Sequence, residues 1–206
     1  MNITKFIDGQ FRRPTGIAGH IIGGRMARQH VPENMWTVSL LDIQLTDSIL
    51  ELGFGPGIAI QRVAALATEG FVAGIDFSHA MVSVARKRNA QAVKAGRVEL
   101  KYGDVVELPF DDNSFDKAFS IHSIYFWSEP ITALKEVLRV LKPGGMLAMT
   151  ILPKAKWPNW EEAKLCHVYS GDDMAKLMTD VGFTRVYVEM GPEHKQFREL
   201  SVIGMK

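Results

Sequence analysis

Ile49-Leu-Glu-Leu-Gly-Phe-Gly-Pro-Gly57 is the stretch whose reading decides the fold of this chain. Residues 48–52 form a short apolar run that gives way to three glycines at alternate positions, Gly53, Gly55 and Gly57. A run of that length bounded by glycine reads as a buried strand, and residues 58–69, stopped by Gly70, read as a helix. The quoted stretch is therefore a strand–turn–helix junction. Glycines in such a turn let the backbone approach a ligand closely and take dihedrals that side chains disfavour. The competing reading is a tight turn that holds nothing.

The spacing narrows the ligand. A dinucleotide fingerprint, Gly-x-Gly-x-x-Gly, would place its third glycine at Ile58 or Ile60, so neither register fits. A phosphate-binding P-loop ends in Gly-Lys-Ser/Thr, and this turn contains no lysine. A nucleoside with a short polar tail suits the turn better than a pyrophosphate. Asp76, at the end of the next apolar run (71–75), supports this, because a carboxylate there can accept both hydroxyls of a ribose.

Outward from the turn, strands and helices alternate. A helix is expected over 33–43, where Trp36, Leu40 and Ile43 share a face. Ser78 is a candidate N-cap for a helix to Gln91. Residues 97–103 alternate as a strand, and 117–121 form the fourth. Pro130 suits the first turn of a helix reaching Val140. Lys142-Pro-Gly-Gly145 reads as a turn before a fifth strand over 146–152. Ser170-Gly-Asp-Asp173 resembles a capping box ahead of a helix stopped by Gly182. Residues 185–190 and 199–205 are strand-like, and the link 191–195 is too short for a crossover helix, so this pair is expected to be antiparallel.

The expected architecture is α/β: a doubly wound sheet of seven strands, six parallel and the seventh antiparallel, with helices on both faces and between the first six strands. One domain over 1–206 is expected, with 1–32 as an N-terminal arm or lid and 33–206 as the core. A short helix is expected near residues 160–168.

Bulk composition restricts the function. The 206 residues are 47% hydrophobic and 23% charged, ordinary for a globular domain. The net charge of +1 offers no strong field for nucleic acid, so no nucleic-acid partner is expected. The single cysteine, Cys166, cannot form an internal disulfide or a multi-cysteine zinc site, and a cytoplasmic setting is the default expectation. No apolar run approaches the ~20 residues that a membrane span needs.

Four segments together resemble the class I S-adenosylmethionine-dependent methyltransferases of the small UbiE-like type. They are residues 49–57, Gly74-Ile-Asp-Phe-Ser-His-Ala-Met81, Gly103-Asp-Val-Val-Glu-Leu-Pro-Phe-Asp-Asp-Asn-Ser-Phe-Asp116 and Leu138-Arg-Val-Leu-Lys-Pro-Gly-Gly145. The resemblance spans roughly residues 35–150 and implies a Rossmann-like core. The implied cofactor is S-adenosyl-L-methionine, leaving as S-adenosyl-L-homocysteine, with no metal. On matching positions the resemblance implies that Gly53, Gly55 and Gly57 line the methionine tail and that Glu51 neutralises its amino group. Asp76 would hold the ribose, Phe77 and Met81 would sandwich the adenine, Asp104 would accept from its amine, and the Val105 amide would meet the ring. The backbone from Ser120 to His122 would face the tail. Phe54 departs from the small residue or cysteine common in relatives and should narrow the turn. The stretch 108–116 reads as scaffold, with Phe110 and Phe115 anchoring a loop and Asp116 opening strand four; residues 138–145 read as scaffold too.

For the acceptor, His122-Ser-Ile-Tyr-Phe-Trp127 is the richest candidate. His122 titrates in the range of a general base, and Tyr125 is able to pair with a substrate oxygen; the bland reading is an aromatic wall. Trp157, Trp160, His167 and Tyr169 are candidates for the opposite rim. The sequence lacks the Asn/Asp-Pro-Pro-Tyr/Phe signature of base- and glutamine-directed relatives, the thiolates of arsenite-type enzymes, and the compact acidic cluster of catechol-type enzymes. A small, apolar or lipid-like methyl acceptor is therefore expected, in a monomer or homodimer. The alternatives are a cofactor-binding protein without transfer activity and, against the glycine register, an NAD-linked oxidoreductase.

Overall fold

The computed structural model describes residues 31–157, 166–192 and 199–206. The elements are α1 (Val31–Leu40), β1 (Ser48–Leu52), α2 (Ile58–Leu66), β2 (Phe71–Asp76), α3 (His79–Arg88), α4 (Ala90–Lys94), β3 (Val98–Tyr102), β4 (Phe115–Ile121), α5 (Pro130–Val140), β5 (Leu141–Ile151), α6 (Gly171–Val181), β6 (Thr184–Met190) and β7 (Leu200–Met205). One seven-stranded sheet has the order β3-β2-β1-β4-β5-β7-β6. β7 runs antiparallel to both its neighbours and the other strands are parallel, as expected. Strand order reverses between β1 and β4, which puts the glycine turn at the switch point where such sheets bind ligands.

Alternation along the strands divides the core between two faces. Ile49, Val72, Phe119 and Ala148 pack with Val38 of α1, Ile60 and Val63 of α2, and Val82 and Ala85 of α3. Leu50, Ala73, Ala118 and Leu147 pack on the other face with Leu134 and Val137 of α5 and Met174 and Met178 of α6. Each fully buried Val, Leu, Ile, Phe or Met side chain among these contributes ~1.5–3 kcal/mol through removal from water. The capping box of α6 forms, with Ser170 Oγ accepting from the Asp173 amide and the Asp173 carboxylate accepting from the Ser170 amide. Gly182 ends that helix at φ 119°.

Several expectations need correction. No helix fills the β3–β4 connection; it is a loop tied to its neighbours by side chains. α3 stops at Arg88 rather than Gln91, because Asn89 Nδ2 donates to the carbonyls of Gly57 and Ala85, and a separate short helix follows. β5 begins at Leu141, not Met146: Leu141 pairs with Phe115, and the register then shifts so that Lys117 pairs with Met146. Asp116 lies inside β4 rather than opening it, accepting from the Ser48 amide and from Lys142. The helix expected near 160–168 falls largely outside the described residues, and its last three, 166–168, are not helical. The arm or lid over 1–32 likewise falls outside them, except that Val31 already belongs to α1.

Candidate active site

The turn after β1 is built on backbone that glycine alone adopts easily. Gly53, Gly55 and Gly57 have φ of 75°, 49° and 72°. A Cβ on Gly53 would lie 2.4 Å from Ser123 Cβ, and one on Gly57 would lie 2.7 Å from Ala85 Cβ. A Cβ on Gly55 would meet nothing within 4 Å, so this glycine faces open space. Phe54 does not narrow the turn. Its ring is buried in the core and lies where a side chain on Gly74 would be, beside Ile60 and Leu100.

Two carboxylates converge beneath this turn. Glu51, at the end of β1, is 3% exposed, and its Oε2 has no hydrogen-bond partner. Burial, reinforced by the like charge of Asp76, holds its pKa well above the usual carboxylate range, against the lowering effect of the Ile60 amide. Asp76 accepts from the Gly55 amide through Oδ2 and the Ser78 amide through Oδ1, each at 2.8 Å. Burial raises its pKa to about 6, opposed by those two amides. A buried carboxylate oxygen without a partner is a costly arrangement unless a ligand completes it. The open space at Gly55, the orphan oxygen of Glu51 and the partly satisfied Asp76 fit a ribose-bearing ligand with a cationic tail.

The residues assigned to the base lie further along the same edge. Phe77 is half-buried directly after Asp76, and Met81 is buried in the first turn of α3, its amide donating to Ser78 Oγ. Asp104 is exposed beyond β3, its Oδ1 accepting from the Val106 amide at 3.3 Å, and Val105 is buried. The Gly103 amide donates to the Asp76 carbonyl at 3.1 Å, joining the end of β2 to the loop after β3. His79 and Tyr102 stack at this edge, with ring centroids 3.6 Å apart. Sequence offers no signal for it, since it depends on the register of β2 against β3.

At the end of β4 the chain turns through His122, which has φ 54°, an uncommon value for a residue with a side chain. Its amide donates to the Thr150 carbonyl at 3.0 Å. Its Nδ1 lies 3.2 Å from the Tyr125 hydroxyl, which accepts from the Leu152 amide. Tyr125 is 4% exposed, and burial pushes its pKa up, so the phenol stays protonated. Trp127 is not a mouth wall either: it is buried, and its indole N–H donates to Ser123 Oγ. Trp157 packs on Tyr125 with centroids 4.5 Å apart, and the exposed His167 donates its amide to the Tyr125 carbonyl. Tyr169 is half-buried, and Trp160 lies outside the described residues. Ser120 is buried, its Oγ 2.6 Å from that of Ser123, which also donates to the Leu52 carbonyl. Ser123 is thus a brace between the glycine turn and the loop after β4, with no signal in the sequence to mark it. Among the described residues no cluster of three or more potential metal ligands occurs, and no helix is long and apolar enough to cross a membrane.

A doubly wound sheet with this strand order, a glycine turn at its switch point and a buried carboxylate ending the next strand defines a Rossmann-like fold with a candidate nucleoside site. The family described as "Methyltransferase domain" matches residues 50–149. An uncharacterized methyltransferase, YdaC of Bacillus subtilis (strain 168), is 35% identical over 148 residues, covering 72% of this chain and 77% of the relative. The demethylmenaquinone methyltransferase of Listeria monocytogenes serotype 4a is 34% identical over 134 residues, covering 65% of this chain and 56% of its own length. Among solved structures, a SAM-dependent methyltransferase from Aquifex aeolicus superposes with a TM-score of 0.72 at 23% identity, covering 87% of this chain and 92% of that one. The chain belongs to the class I S-adenosylmethionine-dependent methyltransferase family. Its cofactor is S-adenosylmethionine.

Proposed function

We propose that this methyltransferase acts on a small, apolar acceptor held where the loop after β4 meets the end of β5, with His122 orienting the nucleophile and taking its proton. The observation that carries this reading is His122 itself. A histidine kept at positive φ, with its imidazole fixed by a buried tyrosine, is a strained residue retained at the carboxyl end of a strand. Strain of this kind costs ~1–3 kcal/mol and concentrates where function requires it.

In this reading Glu51 meets the ammonium of the cofactor tail, Asp76 accepts from the ribose hydroxyls, and Asp104 with the Val105 amide meets the adenine. When bound, S-adenosylmethionine supplies a methyl group on a sulfonium that departs as a neutral thioether. The protein aligns the acceptor and excludes water, and well-oriented positioning of this kind lowers a barrier by up to ~7–11 kcal/mol. Where the nucleophile begins as a phenol or an ammonium, its proton needs a receiver. With hydrogen on Nδ1 donated to Tyr125, His122 Nε2 is that receiver. Tyr125 therefore acts through His122 rather than on the acceptor, because its hydroxyl is buried and accepts from Leu152 and the imidazole.

The name of the Listeria relative supports beginning an acceptor panel with demethylmenaquinone, extended to phenols, amines and activated carbon acids. The test is incubation with S-adenosylmethionine labelled in its methyl group, followed by mass spectrometry of the acceptors. Labelled acceptor formed together with S-adenosylhomocysteine supports the proposal. Tight cofactor binding with no labelled product across the panel would favour a binding protein without transfer activity.

A further inference from the structure

The Leu138–Gly145 motif reads as scaffold in the sequence, yet α5 holds the base-binding loop directly. Arg139 Nη2 donates to the Leu108 carbonyl at 3.0 Å, and Nη1 donates to the Phe110 carbonyl at 2.9 Å and to Asp112 Oδ1 at 2.7 Å. The same guanidinium meets both carboxylate oxygens of Glu136 at 2.8 Å. Glu136 in turn accepts from the Leu108 amide through Oε2 at 2.9 Å. Leu108 is thus gripped at both its amide and its carbonyl by one ion pair. The pairing is reflected in both partners: Arg139 holds the Glu136 carboxyl below its ordinary range, and Glu136 followed by Asp112 raises the Arg139 guanidinium.

The gripped segment begins a few residues beyond Asp104 and Val105. Between them the chain makes a tight turn closed by the Glu107 amide on the Asp104 carbonyl at 3.3 Å. On the opposite side, Lys101 of β3 donates to the Pro109 carbonyl at 3.2 Å and lies over the Phe110 ring. The connection contains no helix of its own, so beyond the burial of Val105 and Leu108 its position depends on these side chains. A guanidinium fork is suited to the task, since it supplies several donors in one rigid plane.

We infer that Glu136 and Arg139 are positioning residues for the base-binding end of the cofactor site, holding the 104–112 loop so that Asp104 and Val105 discriminate adenine from other bases. The inference rests on the reading of Asp104 and Val105 as adenine contacts. Neither Glu136 nor Arg139 touches the cofactor; both act through the backbone of Leu108.

The test compares the dissociation constants of S-adenosylhomocysteine and its inosine counterpart, in which an oxo group replaces the exocyclic amine. The proteins are the wild type, Arg139→Lys, Arg139→Gln and Glu136→Gln, each also measured for its ligand-free thermal midpoint. The wild type is expected to prefer the adenine form by about tenfold or more, the scale of one or two well-placed hydrogen bonds. Arg139→Gln and Glu136→Gln are expected to bring that ratio towards one. Arg139→Lys, which keeps the charge but loses the fork, should fall between and guards against a variant that fails to fold. Glu51→Gln should weaken both ligands and leave the ratio intact. Variants that lower the thermal midpoint but keep the wild-type ratio would overturn the inference and leave the cofactor reading standing. A wild type without adenine preference would overturn the Asp104 reading and the inference with it.

Discussion

Asp76 is the residue on which the cofactor account rests most heavily. Its carboxylate already accepts two amides, and each oxygen keeps a second lone pair for a ribose hydroxyl. Asp76→Ala should weaken S-adenosylhomocysteine binding by ~1–3 kcal/mol, the value of charge-assisted hydrogen bonds, as measured by calorimetry. Unchanged affinity would remove Asp76 from the site. Its pKa of about 6, raised from 3.8 by burial, also gives a sign for pH. The ligand-free folded protein holds that proton more tightly than the unfolded chain. The associated stability is therefore full below pH 3.8 and lost as pH rises through about 6. Thermal midpoints of wild type and Asp76→Asn should diverge in that direction between these limits; parallel curves would contradict the burial argument. On the proposed roles of Asp76 and Glu51, which require their ionised forms, cofactor affinity should fall as pH drops below about 6. At the acceptor side, His122→Asn keeps a residue that tolerates positive φ while removing the imidazole. It should lower turnover of a protonated acceptor with little change in cofactor affinity; equal kcat in the two proteins would exclude His122 as the proton receiver.

At the scale of elements, the β1–α2 turn separates packing glycines from a ligand-facing one. Gly57→Ala places a methyl 2.7 Å from Ala85 Cβ and also forces a left-handed alanine. It should cost ~2–4 kcal/mol in stability, combining strain with overpacking. Gly55→Ala has room for its methyl and should cost only ~1–2 kcal/mol, through its backbone, yet it should reduce cofactor affinity more than a neutral surface change does. Comparing chemical denaturation with calorimetry on the two variants checks this; equal effects of both on stability would show that Gly55 is packed. The sequence made β1 and α5 legible to the residue, because each has local punctuation: glycines after an apolar run, and Pro130 at a helix start. It did not reveal the break at Asn89 or the early start of β5. Those depend on a side chain reaching Gly57 across the fold and on a bulge set by the partner strand.

For the molecule as a whole, seven strands with a reversed β7 were readable from alternation and from one short hairpin link, while their order across the sheet comes from the structure. The candidate cofactor residues were readable as motifs for the same reason, and the fold brings them together at strand ends. The acceptor half was not. Phe54 reads in sequence as narrowing the turn and Trp127 as part of an aromatic wall, but both are core, while Ser123 and Thr150, unremarkable in sequence, join the two halves. Thr150 shows why: its carbonyl holds His122 and its hydroxyl lies 2.7 Å from that of Thr37 on α1, contacts between residues far apart in the chain. The turn, Glu51 and Asp76 together predict one ligand and exclude another. The direct measurement is a calorimetric titration of the intact chain with S-adenosylhomocysteine and, separately, with NAD. Saturable binding of S-adenosylhomocysteine and at least about a hundredfold weaker binding of NAD, a difference of ~2.7 kcal/mol, is the expected result. Equal or tighter binding of NAD would contradict the account.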